Sequence, residues 1–426
     1  MLFLVIITLL LTCASGSPCV TEEGNLPVLL SLNKDLLRYL DSHDGVPNPS
    51  VQLALRLSNK HNLAKETEHL NKMKNKLHDD IQSSLSNSQA VTGIMALYTL
   101  ALKASCYDLS TITFTISEKT DVLLTHLKKQ MEQEKDNIAF SHRPLTNYYQ
   151  YSLGVLALCA SGVRVNNHVS NKLIKATEDE LFKHGDSESI DTYAMAGMAL
   201  QCVKDSASHM HNVAELFAAL TSIKQKLLDS RRTDGHLGNE FSTGLAVQAL
   251  LAMESPLLDY AVSIEAIRTG VRANVYHNPM AISQILPALH QKSYLSVRNE
   301  DCLNEDNTLV LESIDLEAVQ PTKEKLNIQV EVVTFSGAKA LYSLDVPKGS
   351  TLLEALELLK GKNVGFTFDV ETSLWGPFLS RINGEQARQI DRRYWHLSSD
   401  DSALNEGIGD FKIEHSQRIV IKNTGY

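Results

Sequence analysis

No cluster of lysine and arginine interrupts this 426-residue chain, whose formal net charge is −10. Phosphate backbones and anionic membrane surfaces are held by grouped cations, so neither nucleic acid nor such a surface is an expected partner. Proline is scarce at 11 residues, while 43% of the residues are apolar and 21% charged, which excludes a disordered chain and leaves ample material for packed cores. No apolar run reaches the length needed to span a bilayer. There is no phosphate loop, nucleophile elbow or HExxH helix, and no close cysteine or histidine spacing of a zinc site. No Asn-x-Ser/Thr acceptor remains once Asn48-Pro49-Ser50 is set aside.

What is present begins with length. A chain of this size exceeds what one hydrophobic core usually serves, so two domains are expected. From Leu2 to Leu11 runs an uncharged apolar stretch followed by Cys13, Ala14, Ser15 and Gly16, with small residues at −3 and −1 of a cut after Gly16. Residues 1–16 therefore read as a signal peptide, the competing membrane anchor being too short, and the protein as secreted and extracellular without membrane insertion. Cleavage leaves Cys19, Cys106, Cys159, Cys202 and Cys302. An oxidising compartment favours disulfides, although Cys159 and Cys202 lie on apolar helical runs and would also bury well as free thiols. The odd count leaves at least one thiol without an intramolecular partner, and spacing does not settle the pairing.

Residues 17–303 have a helical pattern with almost no strand signal. Six apolar segments recur in related wording: Val51 to Leu57, then those beginning at Gly93, Gly154, Gly197 and Gly244, then Ala281 to Leu289. Their spacing, roughly 40 to 60 residues, suits one helical hairpin per unit. More charged helices intervene, such as His61 to Ser84, Ser117 to Lys135, Val169 to Lys183 and Val213 to Asp229. A helix apolar all round must be inside and one with a charged face outside, so six pairs can close into an (α/α)6 toroid, with an open solenoid as the alternative. Residues 304–324 are polar and acidic and read as a linker. Beyond them the period becomes two. Residues 325–426 read as a small α+β, β-rich domain: a hairpin through Ser336-Gly337, a helix from Thr351 to Lys360, and strands at Val364 to Val370, Phe378 to Ile382, Arg393 to Leu397 and Gln417 to Lys422.

In such a toroid the loops entering the inner helices converge on one mouth. Here they read Thr146-Asn147-Tyr148-Tyr149-Gln150-Tyr151, Ser189-Ile190-Asp191-Thr192-Tyr193 and Asp234 to Ser242. Each has a bland explanation: Asp191-Thr192 and Ser242-Thr243 as helix caps, the tyrosines as rim packing, Asp234-Gly235 as a turn. Together, three loops rich in amides, hydroxyls and aromatics fit a pocket for a large ligand studded with polar groups. A glycoside hydrolase is the alternative, with Asp191 and either Asp234 or Glu240 as opposed carboxylates.

These loops resemble those of the cobalamin-binding family of transcobalamin, intrinsic factor and haptocorrin, its transcobalamin-like members most. The resemblance covers nearly the whole chain after Gly16. It is carried by Thr-x-Tyr-Tyr-Gln-Tyr before Leu-Ala-Leu-Cys159, Ile-Asp-Thr-x-Ala-Met-Ala-Gly before Cys202, Gly-His-x-Gly-Asn239, Ile-Ser-Gln284-x-Leu-Pro, Gly376-Pro377 and Tyr394-Trp395. It implies a non-catalytic monomeric carrier whose cargo is vitamin B12 with its cobalt, buried between the two domains and delivered to a cell-surface uptake receptor. Thr146, Tyr149, Gln150, Asp191, Asn239, Ser242 and Gln284 would hydrogen-bond the ring amides or the nucleotide tail, and Trp395, His396 and Leu397 would cover the ligand. It also implies disulfides Cys106–Cys302 and Cys159–Cys202. Three departures stand out: Cys19 has no partner near Ala252 to Pro256, Ile94 replaces a glutamine, and Glu188 stands where transcobalamin-like members place a cobalt-reaching histidine. His184 is the remaining axial candidate.

Overall fold

The structure, a computed structural model, describes residues 22–41, 47–86, 90–116, 118–184, 187–206, 212–311, 324–362, 364–373, 376–388, 391–400 and 402–425. The expected signal peptide, Cys19 and residues 312–323 of the expected linker lie outside them. The chain divides into two units between Leu311 and Glu312.

Among the described residues the first unit holds α1 (Glu22–Asp41), α2 (Pro49–Arg56), α3 (Leu63–Ser86), α4 (Thr92–Ala104), α5 (Leu123–Ser141) and α6 (Tyr148–Ala160). They are followed by α7 (Asn167–Glu178), α8 (Ile190–Ser206), α9 (Val213–Asp229), α10 (Ser242–Ala252), α11 (Ala261–Arg272) and α12 (Pro279–Leu289). The even-numbered helices form the inner ring. Helix α8 is buried without a break from Thr192 to Val203, whereas α9 buries only Leu216, Ala219, Leu220, Ile223 and Leu227, one stripe at helical spacing. Each inner helix packs on the next, and α12 returns to α2. That last contact closes the ring into the (α/α)6 toroid and excludes the open solenoid, whose first and last repeats stay apart. Close approach within the ring needs glycine: a Cβ on Gly244 of α10 would lie 2.7 Å from the backbone oxygen of Gln284 on α12.

Each inner helix is preceded by an outer helix that returns the chain, so all six run the same way and finish at one end of the ring. A 3-10 turn, Tyr294–Asn299, packs against α4, α6, α8 and α10 there. The chain then reaches Cys302, bridged to Cys106 just beyond α4, while a second bridge joins Cys159 of α6 to Cys202 of α8. Arg56, buried at the end of α2, donates to Glu66, to Glu305 and to the Ala104 carbonyl. Residues 304–311, expected as linker, instead lie on the helical unit: His61 N–H donates to the Asp306 carbonyl, Leu309 N–H to the His61 carbonyl, and Leu63 N–H to Asn307. Their polarity reflects hydrogen bonds to the loop after α2 rather than a solvated tether.

The helix expected from Ser117 begins only at Leu123. Before it stands a hairpin of β1 (Thr113–Ile116) and β2 (Lys119–Val122), where Thr111, Ile112, Thr113, Thr115 and Ile116 crowd β-branched side chains that disfavour helix. A second short hairpin, β3 (Lys183–His184) with β4 (Ser187–Glu188), precedes α8, and the helix expected over Val169 to Lys183 stops at Glu178, just before Glu180 takes positive φ.

The second unit contains β5 (Lys325–Val333), β6 (Lys339–Pro347), α13 (Leu352–Gly361), β7 (Phe368–Ser373), β8 (Gly376–Ile382), β9 (Glu385–Gln386), β10 (Arg393–Ser399), β11 (Ser402–Ala403) and β12 (Arg418–Gly425). Its five-stranded sheet runs β11-β10-β12-β5-β6, parallel only between β12 and β5, and β7-β8-β9 form a second sheet. Gly337 takes positive φ in the β5–β6 turn, and a reciprocal Thr351 and Glu354 capping box starts α13. Alternation then puts Ile328, Val330, Leu344, Val346, Ile419 and Ile421 into one core with Leu352, Leu356 and Leu359 of α13.

Candidate functional site

The N-terminal ends of the inner helices gather opposite the 3-10 turn, and the sequence-selected polar residues of the helical unit lie at or near these ends, except Gln284, which is midway along α12. At α6, Asn147 caps the helix by accepting from Gln150 N–H at 2.9 Å. The Gln150 side chain lies over Gly93 of α4, where any Cβ would meet its Oε1 at 2.7 Å. Thr146, half-buried, donates its hydroxyl to Glu134 Oε1 at 2.6 Å and its N–H to Glu134 Oε2 at 3.2 Å. Tyr149 is partly exposed; burial first, then the nearby Tyr294 and Asp191, holds its phenol well above the ordinary range. The ring therefore brings Tyr149 and Asp191 together.

The caps differ from those expected. Ser189, not Asp191 or Thr192, caps α8 by accepting from Thr192 N–H at 3.3 Å, which leaves Asp191 in the first turn beside the partial positive charge of the helix end. Asn239, not Ser242, caps α10: its Oδ1 accepts from Phe241 and Ser242 N–H at 2.9 and 2.7 Å. Its side-chain oxygen is thus committed to the helix, and its NH2 is what it can offer a ligand. Ser242 is buried at the start of α10. On α12, Asn278 caps the helix, and Gln284, midway along it, accepts from Gln248 through its backbone oxygen at 2.8 Å.

In the second unit the neighbours Trp395, His396 and Leu397 alternate along β10. Trp395 is 7% exposed and packs in the core with Leu397 against it, and among the described residues its Nε1 has no acceptor. His396 stands on the other face, edge-on to Tyr394 at 6.1 Å. The three side chains therefore do not share one surface.

Glu188 pairs with Lys226 of the outer helix α9 and helps hold that amine strongly protonated. The side chain of His184 lies outside what is described. Among the described residues no group of three or more His, Cys, Asp or Glu could hold a metal ion, and no helix is long and apolar enough to cross a membrane. Asp234 and Glu240, the carboxylates of the hydrolase alternative, both face Arg232, at 3.2 and 3.5 Å. The backbone N–H of His236 first, and the charge of Arg232 last, hold the Asp234 carboxyl below its ordinary range, opposite to what a general acid needs.

Sequence reasoning missed Glu134 and Gln130 of α5. Gln130 accepts from Val91 N–H at 3.2 Å, and Glu134 accepts from the Thr92 hydroxyl at 2.9 Å, so one outer helix holds the entry to α4 as well as α6. The available signal was position: Glu134 falls on the stripe Leu127, Met131, Ile138, where a solvated residue does not belong.

The model of the eukaryotic cobalamin-binding protein family matches residues 1–323. The chain belongs to that family. A second model, of a domain of unknown function, matches residues 349–425. This cobalamin-binding family member is 32% identical to transcobalamin-2 of Bos taurus over 431 aligned residues, covering 97% of this chain and 96% of that protein. It is 28% identical to the cobalamin binding intrinsic factor of Homo sapiens over 424 residues, covering 96% and 94% respectively. A crystal structure of haptocorrin in complex with Cbi superposes with a TM-score of 0.74 at 24% identity, covering 96% of this chain and 99% of that one. The shared fold is a helical toroid with a separate β-rich unit.

Proposed function

We propose that this family member is a secreted, monomeric carrier that takes cobalamin as its cargo, cobalt included, and hands it to a cell-surface uptake receptor. The observation that carries the reading is that Thr146, Tyr149, Gln150, Asp191, Asn239 and Ser242 stand at or next to inner-helix N-terminal ends, with Gln284 midway along α12, in a chain of the cobalamin-binding family. A ring fringed with amides binds firmly only when each desolvated amide finds a partner, because a buried unpaired polar group costs about 1–3 kcal/mol. Of Trp395, His396 and Leu397, only His396 stands on the face of β10 opposite the core, where it can add a contact from the second unit. A tether between two weak grips makes the second contact effectively intramolecular, which slows release. Position 188 supplies no imidazole; unless His184 takes that role, bound aquocobalamin keeps its water, and its visible spectrum distinguishes the two.

The test is direct. Purified protein is mixed with cobalamin and dialysed exhaustively. A pink complex of one cobalamin per chain is expected; a colourless protein overturns the reading.

A further inference from the structure

We infer that Glu134 is a positioning residue that sets the polarity of the mouth: it forces the Thr146 hydroxyl to act only as an acceptor, so that this position recognises a carboxamide N–H and rejects a carboxylate. The inference rests on the cobalamin reading above and goes beyond it by assigning a sense to one contact.

Glu134 is 0% exposed, yet among the described residues it pairs with no lysine, arginine or histidine. What it meets is neutral: the Thr92 hydroxyl, the Thr146 hydroxyl and the Thr146 N–H, at 2.9, 2.6 and 3.2 Å. A buried carboxylate held in this way accepts and does not donate. Each threonine has a single hydroxyl proton, and both protons go to Glu134. Thr146 is a half-exposed residue at the N-terminal end of the ring, and its hydroxyl oxygen keeps only lone pairs for a ligand. An amide NH2 satisfies those lone pairs. A carbonyl oxygen does not, and a carboxylate adds repulsion from the negative charge of Glu134, one hydrogen bond behind the hydroxyl at 2.6 Å.

The arrangement also explains why the residue lies on the outer helix. From α5 a single side chain reaches the entry loops of two neighbouring inner helices, α4 through Thr92 and α6 through Thr146. Gln130, one turn earlier, fixes Val91 of the same α4 entry. The mouth geometry is thus set from behind, by residues that touch no ligand themselves.

The experiment uses the full chain and two kinds of probe, cobalamin and its monocarboxylate derivatives, in which one ring carboxamide has become an acid. Dissociation constants for both are measured at neutral pH for the parent, Glu134→Gln, Thr146→Val and Thr146→Ser. At least one monocarboxylate should bind the parent less tightly than cobalamin, and Glu134→Gln should narrow that ratio about tenfold. A glutamine can donate to the Thr146 oxygen and release its proton toward the ligand. Thr146→Val should narrow the same ratio, and Thr146→Ser, which keeps the hydroxyl, should preserve it. A purely structural role for Glu134 would weaken all probes alike and leave every ratio unchanged, which overturns the inference. Should Glu134→Gln fail to fold, the Val and Ser pair decides: equal ratios in both overturn it. A parent that binds no cobalamin defeats the carrier reading first, and is recognised before any ratio is taken.

Discussion

The backbone N–H of Asn48 points at Nε2 of His69, 3.2 Å away, and ties the cap of the first inner helix to the outer helix α3. Nε2 accepts, so the imidazole is neutral and carries its proton on Nδ1, which donates to Gln52 Oε1 at 2.8 Å. Asn48 also reaches Met280 Sδ at the start of α12, so one residue joins both ends of the ring.

Acid should loosen this joint. Burial, and then the charge of Lys72, lowers the His69 pKa from 6.5 to about 4, and burial, Lys292 and His61 lower that of His290 to about 3. The unfolded chain then binds these protons more readily than the folded one, so stability is full above pH 6.5 and declines as pH falls toward 4 and 3. The loss at His69 is about 3 kcal/mol. Thermal unfolding across this range should show Tm falling, and His69→Gln should flatten part of the fall. A parent profile that is level from pH 6.5 to 4 contradicts the account.

Gly244→Ala should overpack the ring. Its new methyl would meet the backbone oxygen of Gln284 at 2.7 Å and the Cα of Ile285 at 3.0 Å, groups that cannot rotate away. Destabilisation of about 1–3 kcal/mol is expected in urea unfolding. An unchanged midpoint means that α10 and α12 have room to part.

Arg56→Ala should cost more, about 3–5 kcal/mol, because it strands the carboxylates of Glu66 and Glu305 with their cation removed. Removing Glu305 as well should recover part of the loss. Additive losses in the double variant would show that the pair is not coupled.

Asp191→Ala and Gln284→Ala should leave cobalamin association nearly unchanged and speed its release, since contacts of this kind act mainly on dissociation. Stopped-flow absorbance for binding and chase experiments for release separate the two rates. Release rates equal to the parent's would remove both residues from the proposed site.

Much of this was legible in the chain. Inner helices such as α8 announced themselves because a segment apolar on every side has only one place to go. In the small unit, alternation along β5 and β12 and the Thr351 capping box are local signals. Missed features were those in which a polar residue answers to something distant in sequence. Glu134 read as an ordinary charge of an outer helix, although its partners are 42 residues before it and 12 after. Residues 304–311 read as a tether because their hydrogen-bond partners lie nearly 250 positions away.

Periodicity and composition by themselves determined the kinds of elements, their inner or outer fate and the change from helical to β-rich, since each depends on neighbours within a turn or two of chain. Tertiary structure alone decided that α12 meets α2, as the 232-residue link from Asn48 to Met280 shows, and that Ser189 and Asn239 are the caps beside Asp191 and Ser242. It also put Trp395 and His396 on opposite faces of a strand whose inward side the sequence left open. Closure, capping and facing depend on which donor meets which acceptor in space, and order along the chain carries no such distances.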